Sequence, residues 1–213
     1  MRNTLEHINN TYPSVPNPRN LGYREIPNAG RTILADICRE LDFKLGVEVG
    51  VERGRFSEVL MKKNPQMQLY GIDPYESYFD YTDFVLKSSF SRNEAEAHAR
   101  LDKYPNYTFI NKYSSDAGKD FEDNSLDFVY IDANHHFEYV IADIALWTKK
   151  LRPGGIISGH DYFKQSGDER VEVYAAVNAW TAVKKIDPWF VIGGEAKDGK
   201  LIRDDLRSWM WVI

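Results

Sequence analysis

Short apolar runs alternate with amphipathic helical segments along most of this chain, and that alternation constrains its fold most. The run "LGVEVG" precedes "RFSEVLMKK", in which the apolar residues recur at helical spacing. Six further runs have the pattern of strands: "QLYGID", "YTFINK", "SLDFVYID", "GIISGHDY", "WFVIGG" and "SWMWVI". Parallel strands need crossover connections, and helices must cover both faces of their sheet. The sequence therefore predicts an α/β fold with a Rossmann-like, doubly wound, mostly parallel seven-stranded sheet and an antiparallel C-terminal strand.

The length of 213 residues suits one domain. Residues 9–27 are rich in Asn, Pro and Tyr without periodicity, which predicts an extended arm or loop rather than a packed element. We therefore expect an N-terminal arm over residues 1–30, either an ordered lid or a disordered tail. A single domain over residues 31–213 should carry an aromatic insertion at about residues 75–92.

Charge and cysteine content exclude several classes of partner. The net charge of −5 argues against binding to nucleic acid or to an anionic membrane surface. The single cysteine, Cys38, excludes an internal disulfide framework. No apolar run is long enough to span a membrane, and the N-terminus lacks the apolar core of a signal peptide. We expect a cytoplasmic protein without nucleic acid or membrane partners, and a homo-oligomer is left open.

The stretch "GVEVGVERGRFSE" predicts a ligand-binding bend after the first core strand. Ligands of such sheets bind outside the carboxyl ends of the strands. Gly50 would permit the sharp turn, and Gly54 would let the helix and the ligand approach closely. Asp73 ends the next strand, where an acid accepts the hydroxyls of a ribose. The bend is therefore a candidate site for an adenosine-containing ligand.

The charges at this bend bear on which adenosine derivative binds. A dinucleotide fingerprint needs G-x-G-x-x-G, but Glu52 stands where the middle glycine would be. Glu48 and Glu52 would also repel a pyrophosphate. S-adenosylmethionine carries a sulfonium and an ammonium and no phosphate, so it suits the bend better. A nicotinamide oxidoreductase and a tight turn with solvated acids remain the alternatives.

Several motifs in order resemble one enzyme family. They are "VEVGVERGRFS", "YGIDPY", "SSDAGKDF", "LDFVYIDANHHFEYVIADI" and "LRPGGIISGHDY". Together they resemble class I S-adenosylmethionine-dependent methyltransferases, within them the small-molecule branch of macrocin-type and sugar O-methyltransferases. The resemblance implies methyl transfer to a small-molecule acceptor, with a sugar hydroxyl as one candidate. The alternative from another class is a non-catalytic nucleoside-binding module.

The resemblance also implies roles for individual residues. Glu48, Gly50 and Gly54 would line the methionine side of the cofactor, and Asp73 would take the ribose hydroxyls. Ser115 and Asp116 would contact adenine, although these residue types also suit a helix cap. Asp132 would lie beside the transferring methyl group.

Four titratable residues should converge at two neighbouring strand ends: Asp132, His135, His160 and Asp161. The resemblance implies a divalent metal such as Mg²⁺ on Asp132, His160 and Asp161. Mg²⁺ prefers oxygen ligands, so His160 favours a metal that accepts imidazole, and a structural His–Asp hydrogen bond is the alternative. A hydroxyl acceptor must lose its proton, which needs either a metal that lowers its pKa or a base such as His135 or His160. The resemblance places a histidine at the position of His135, so we expect His135 as the base. The sequence leaves the acceptor unidentified.

Overall fold

The computed structural model describes residues 3–17, 22–76, 89–163, 171–193 and 207–213. Within them, nine strands form one sheet. The strands are β1 Val15–Pro16, β2 Arg24–Ile26, β3 Leu45–Val49, β4 Gln68–Ile72, β5 Tyr107–Ile110, β6 Leu126–Ile131, β7 Leu151–Gly159, β8 Phe190–Ile192 and β9 Ser208–Val212. The helices are α1 Thr4–Thr11, α2 Thr32–Glu40, α3 Arg55–Lys63, α4 Phe90–Leu101, α5 Ser114–Ala117, α6 Phe137–Lys150 and α7 Val173–Lys184.

The strand order is β1-β2-β8-β9-β7-β6-β3-β4-β5. Strands β5, β4, β3, β6 and β7 run parallel, and β9 pairs antiparallel with both β7 and β8. The chain moves outward from β3 through β4 to β5 and then returns to β6, so the strand order reverses between β3 and β6. Ligands of open α/β sheets bind at such a reversal. The predicted doubly wound α/β fold is confirmed, and its reversal point lies at the bend after β3.

The predicted number of seven strands was wrong, because the N-terminal segment adds two more. Strand β2 pairs parallel with β8, and the short β1 pairs antiparallel with β2. Tyr23 and Ile26 of this segment are buried, so the prediction of an unpacked arm over residues 9–27 fails there. Helix α1 precedes both strands and contacts β7. The segment is part of the packed structure over its described residues.

Helices cover both faces of the sheet and bury the central strands. All six residues of β6 are buried, as expected for a parallel strand between two helical layers. One core layer includes Leu34 of α2 and Leu60 of α3. The opposite layer includes Ile144 of α6 and Val177 of α7. No helix among the described residues is both long and apolar enough to cross a membrane.

Candidate active site

The bend between β3 and α3, Gly50 to Gly54, packs directly on the end of β6. Gly50 has a φ of +90°, and a Cβ built on it would lie 2.0 Å from the carbonyl oxygen of Asp132. Gly54 has a φ of +70°, and its Cβ would lie 2.6 Å from Leu101 Cδ1. Gly50 therefore permits contact between two strand ends, whereas Gly54 permits helix α4 to approach α3. The expected approach of a ligand at Gly54 stays a prediction.

The bend also contains a strained position, Glu52, which has a φ of +49°. A glycine adopts this conformation readily, whereas other residues do so rarely. Glu52 thus takes the backbone conformation of the glycine that the dinucleotide fingerprint would place there.

Asp73, directly after β4, holds the bend in place through hydrogen bonds to its backbone. Its Oδ2 accepts hydrogen bonds from the backbone N–H groups of Val51 at 3.1 Å and Glu52 at 2.9 Å, and its Oδ1 accepts one from Tyr75 at 2.9 Å. Burial raises the pKa of Asp73, and the three backbone hydrogen bonds oppose that rise. A carboxylate offers about four acceptor positions, so Oδ1 keeps room for a further donor such as one ribose hydroxyl.

This arrangement discriminates between nucleotide classes. A dinucleotide site presents the N–H groups of its glycine-rich bend to a pyrophosphate. Here those of Val51 and Glu52 already donate to Asp73, and the N–H of Gly54 donates to the Val51 carbonyl at 2.8 Å. The donor set therefore suits a nucleoside without phosphates.

Glu48, in β3 just before the bend, was expected to repel a pyrophosphate, and its surroundings bear on that expectation. Its side chain is 2% exposed, and the Ser57 hydroxyl donates to it. The Tyr107 hydroxyl lies 3.1 Å from Ser57 Oγ and completes this buried group. Burial raises the pKa of Glu48 to about 8, although the Ser57 hydrogen bond opposes the shift. Glu48 is therefore largely protonated at neutral pH in the absence of a ligand, so it does not repel anions in the way the sequence argument assumed.

Ser115 and Asp116 lie in α5, just beyond β5, and both are exposed. Neither caps α5 through its side chain, since Tyr113 occupies the cap position without such a bond. Asp116 pairs with Lys119 at 2.6 Å, and this hydrogen bond lowers the pKa of its carboxyl. The helix-cap alternative is thus not what the structure shows.

Asp132, His135, His160 and Asp161 form what we call the strand-tip cluster. Ile131 of β6 pairs with Gly159 of β7, which brings the residues that follow each strand together. His135 Nε2 lies 2.7 Å from Asp161 Oδ2, and His160 Nδ1 lies 3.4 Å from Asp161 Oδ1. Both histidines approach Asp132 Oδ1 to 3.8 Å. The expectation that the two strand ends are neighbours is confirmed.

The electrostatics of the cluster centre on Asp161, which is buried and has a φ of +57°. Burial alone would raise its pKa, but hydrogen bonds from His135 and His160 outweigh it and hold that pKa well below the usual range. For His160, burial lowers the pKa, whereas Asp161 and Asp132 raise it by more. Asp161 is therefore ionised at neutral pH, and it favours the protonated form of His160.

The cluster has a donor set that can hold a metal. Ligand atoms of Asp132, His135 and Asp161 all lie within 4.8 Å of one another. The resemblance implied His160 in place of His135 as the middle ligand. Two carboxylates with imidazole fit a transition metal better than Mg²⁺.

Two residues that contact the strand-tip cluster or the segment beside it lay outside the sequence-based expectations. Arg31, just before α2, places Nη1 3.2 Å from Asp132 Oδ2. Glu172, just before α7, accepts from the Phe137 N–H at 2.8 Å, and its own N–H donates to the His135 carbonyl at 2.8 Å. No motif surrounds either residue, and an amphipathic pattern alone does not separate a site arginine from a solvated one.

The aromatic insertion expected at about residues 75–92 lies mostly outside the described residues. Tyr78, Phe79, Tyr81 and Phe84 fall in the range 77–88, which the structure does not describe. Tyr75, which precedes them, is buried in the core beside β5.

Comparisons with known proteins agree with this geometry. Residues 47–162 match the family described as "Methyltransferase domain". None of the curated proteins matches the sequence.

Solved structures with the same fold include three that share 14 to 16% identity with this chain. Cofactor-bound Rv0187 from MTB has a TM-score of 0.61 and 15% identity, over 87% of this chain and 84% of its own. The O-methyltransferase from Bacillus cereus in complex with SAH has a TM-score of 0.60 and 14% identity, over 100% of this chain and 92% of its own. The O-methyltransferase TomG from Streptomyces achromogenes, in complex with SAM, has a TM-score of 0.57 and 16% identity, over 85% and 78%.

The matched residues include the bend after β3, Asp73 and the whole strand-tip cluster. The resemblance drawn from the sequence motifs is confirmed at the level of the family. The chain belongs to the methyltransferase-domain family, and it has the fold of the class I S-adenosylmethionine-dependent methyltransferases.

Proposed function

We propose that this protein transfers the methyl group of S-adenosylmethionine to a hydroxyl of a small-molecule acceptor, with sugars among the candidate acceptors. One observation carries the proposal: two histidines and two acids converge at the ends of β6 and β7, directly beside the bend at Gly50. The family assignment favours methyl transfer over nicotinamide chemistry. The internally satisfied bend, whose N–H groups donate to Asp73, supports the same choice.

The cofactor is proposed to lie over the bend. Two of the solved relatives are described in complex with SAH or SAM, and the remaining acceptor position on Asp73 suits a ribose hydroxyl. Glu48 and Gly50 would lie at the methionine end, with Gly54 supporting the bend. Ser115 and Asp116, exposed beyond β5, are available to adenine. When bound, S-adenosylmethionine would supply an electrophilic methyl group: the acceptor oxygen would bond to the methyl carbon while the carbon–sulfur bond breaks, and S-adenosylhomocysteine would be the leaving product.

The chain itself must remove the proton of the acceptor and hold the acceptor in place. We assign the proton to the His135 imidazole, because Asp161 lies 2.7 Å from its Nε2; both ring nitrogens are buried in the described structure. Asp161 would then stabilise the imidazolium as it forms, in the manner of the acid of a catalytic triad. Positioning contributes up to about 7–11 kcal/mol to such reactions, and a general base adds roughly 10²- to 10⁴-fold.

A metal ion is the second way to activate the acceptor. Asp132 and Asp161 with His135 or His160 would hold it, and the imidazole favours Mn²⁺, Fe²⁺ or Zn²⁺ over Mg²⁺. A bound metal would lower the pKa of an acceptor hydroxyl. Activity after chelation and after addition of Mg²⁺ or Mn²⁺ distinguishes this route from base catalysis by His135.

The test of the proposal combines ligand binding with turnover. S-adenosylhomocysteine at 100 times its Kd should stabilise the protein by about 2.7 kcal/mol, and NAD should not. Labelled S-adenosylmethionine would then be offered with phenols, hydroxy acids and sugars. Stabilisation by NAD alone would overturn the proposal. Cofactor binding without methylation of any acceptor would favour the non-catalytic module.

The site assignment has its own matched variants. Asp161→Asn should lower turnover by roughly 10²- to 10⁴-fold, since His135 loses its charged partner. Affinity for S-adenosylhomocysteine should stay within a few-fold. His98→Asn is the control, because His98 lies on α4 and pairs with Asp102 away from the cluster. Unchanged turnover in Asp161→Asn would remove Asp161 from the site.

A further inference from the structure

Arg31 places a permanent positive charge between the bend and the strand-tip cluster. Its Nη1 lies 3.2 Å from Asp132 Oδ2, and its Cζ lies 5.4 Å from the centre of the Phe56 ring. Asp132 follows β6, and Phe56 belongs to the first turn of α3. The guanidinium is therefore beside the end of β6 and the first turn of α3.

The charge of Arg31 acts on three strands of the site. It opposes the rise in the pKa that burial causes at Glu48 on β3 and at Tyr130 on β6, and it opposes the rise that Asp161 and Asp132 cause at His160 after β7. Its side chain is 27% exposed, so part of it is accessible from solvent. Arg53, the arginine within the bend, turns instead to α4, where Nε donates to Asn93 at 3.0 Å.

We infer that Arg31 binds the carboxylate at the amino-acid end of the cofactor, an inference that rests on the proposed function. The proposed ligand carries an ammonium and a carboxylate on the same carbon. The acids at the ends of β6 and β7 would attract the ammonium. The carboxylate, in contrast, would be repelled by Asp132 unless a cation faced it. Arg31 supplies that cation, and its planar fork matches a carboxylate with two hydrogen bonds.

Binding would exchange one carboxylate partner of Arg31 for another. In the described structure the guanidinium pairs with Asp132 Oδ2. When the ligand carboxylate takes its place, that oxygen becomes available to the acceptor or to a metal. Arg31 would thus couple occupation of the cofactor site to the state of Asp132.

Three ligands separate this role from a general effect on the fold. S-adenosylhomocysteine carries both charged groups, its decarboxylated analogue keeps only the amine, and 5′-methylthioadenosine has neither. Calorimetric titration of the wild-type protein should show roughly 10- to 100-fold tighter binding of S-adenosylhomocysteine than of the decarboxylated analogue, because charge-assisted pairs have that strength.

Arg31→Gln should abolish this preference and leave the affinity for 5′-methylthioadenosine within about twofold. Arg31→Lys should keep part of the preference for S-adenosylhomocysteine, since the positive charge remains but the two-pronged guanidinium geometry is lost. Arg39→Gln is the matched control, because Arg39 lies on α2 and pairs with Asp36 and Glu40 of the same helix, and it should bind all three ligands as the wild type does. If Arg31→Gln does not fold, Arg31→Lys provides the comparison.

The outcomes are distinct. Equal loss of affinity for all three ligands in both Arg31 variants would show a structural role and overturn the inference, as would full preference retained in Arg31→Gln. Wild-type protein that binds the three ligands equally would overturn the inference alone. Wild-type protein that binds none of them would overturn the proposed function as well.

Discussion

At Gly50 the site requires a residue without a side chain. The backbone of the bend touches the backbone of Asp132, so a sequence motif that requires glycine reports a contact between strands β3 and β6. The sequence predicted the positions of Gly50, Asp73 and the strand-tip cluster, because their motifs fix them at strand ends. It did not predict that Glu48 is buried against Ser57, because the pattern of a strand does not reveal which donor its carboxyl meets.

Gly50→Ala should destabilise the protein by about 2–4 kcal/mol, the sum of a strained φ and a steric clash. Gly154→Ala is the control for the cost of the positive φ alone. Gly154 has a φ of +82°, but its Cβ would come no closer than 3.4 Å to another atom. Urea denaturation of both variants measures the difference. Equal losses in the two variants would contradict the predicted contact with Asp132.

At the scale of elements, the site depends on how helices are fixed to strand ends. The pattern of alternating strands and helices predicted β3 to β9 closely, because each has an apolar run bounded by a turn or a polar segment. It predicted "GIISGHDY" as the run of β7, whereas β7 begins at Leu151, directly after α6, and also contains "RPGG". Buried polar links between helices, such as Asp143 with Ser114, involve residues far apart in sequence and carry no local signal.

Asp143→Asn should remove a pH-dependent loss of stability. Burial raises the pKa of Asp143 from 3.8 to about 6, so the folded state holds its proton more tightly than the unfolded state. The protonated carboxyl therefore stabilises the folded protein. This stabilisation is fully present below about pH 4 and is lost as the pH rises through 6, and its size is about 3 kcal/mol at most. Urea denaturation of the variant from pH 4 to 7 should lack this slope. Asp116→Asn, at an exposed position, should retain the wild-type slope in that interval.

Glu172→Ala should lower the free energy of unfolding by about 0.5–2 kcal/mol, because the first turn of α6 loses its acceptor for the Phe137 N–H. Glu172→Gln, which keeps an acceptor oxygen, should lose less. Chemical denaturation of the two variants checks the order. If glutamine and alanine are equally destabilising, the charge of Glu172 matters rather than the hydrogen bond.

For the whole molecule, the main departure from the sequence-based prediction is the N-terminal segment. Strands of two and three residues are too short for periodicity to identify, and the Asn-rich and Pro-rich composition of residues 9–27 favoured an arm. Tertiary contacts decide the outcome, since Tyr23 packs against Trp189 and Tyr162 with ring centres 5.0 and 5.6 Å apart. The role of this segment as a lid stays a prediction.

Tyr23→Ala should therefore destabilise the entire domain by about 3–4 kcal/mol, as expected for truncation of a buried aromatic side chain. Val15→Ala in β1 should have little effect, because Val15 is exposed. Thermal unfolding followed by the fluorescence of the five tryptophans, one of which is Trp189, measures the loss. A negligible effect of Tyr23→Ala would mean that the segment is only loosely attached.

The same segment bears on self-assembly. An uncovered strand edge can template pairing with another chain, and Phe190–Ile192 of β8 is entirely apolar and buried. Strand β2 occupies that edge, and the outermost strand β1 is only two residues long and ends in Pro16, which has no N–H to offer. Beyond completing the domain, strands β1 and β2 thus leave the edge of β8 closed to pairing with another chain.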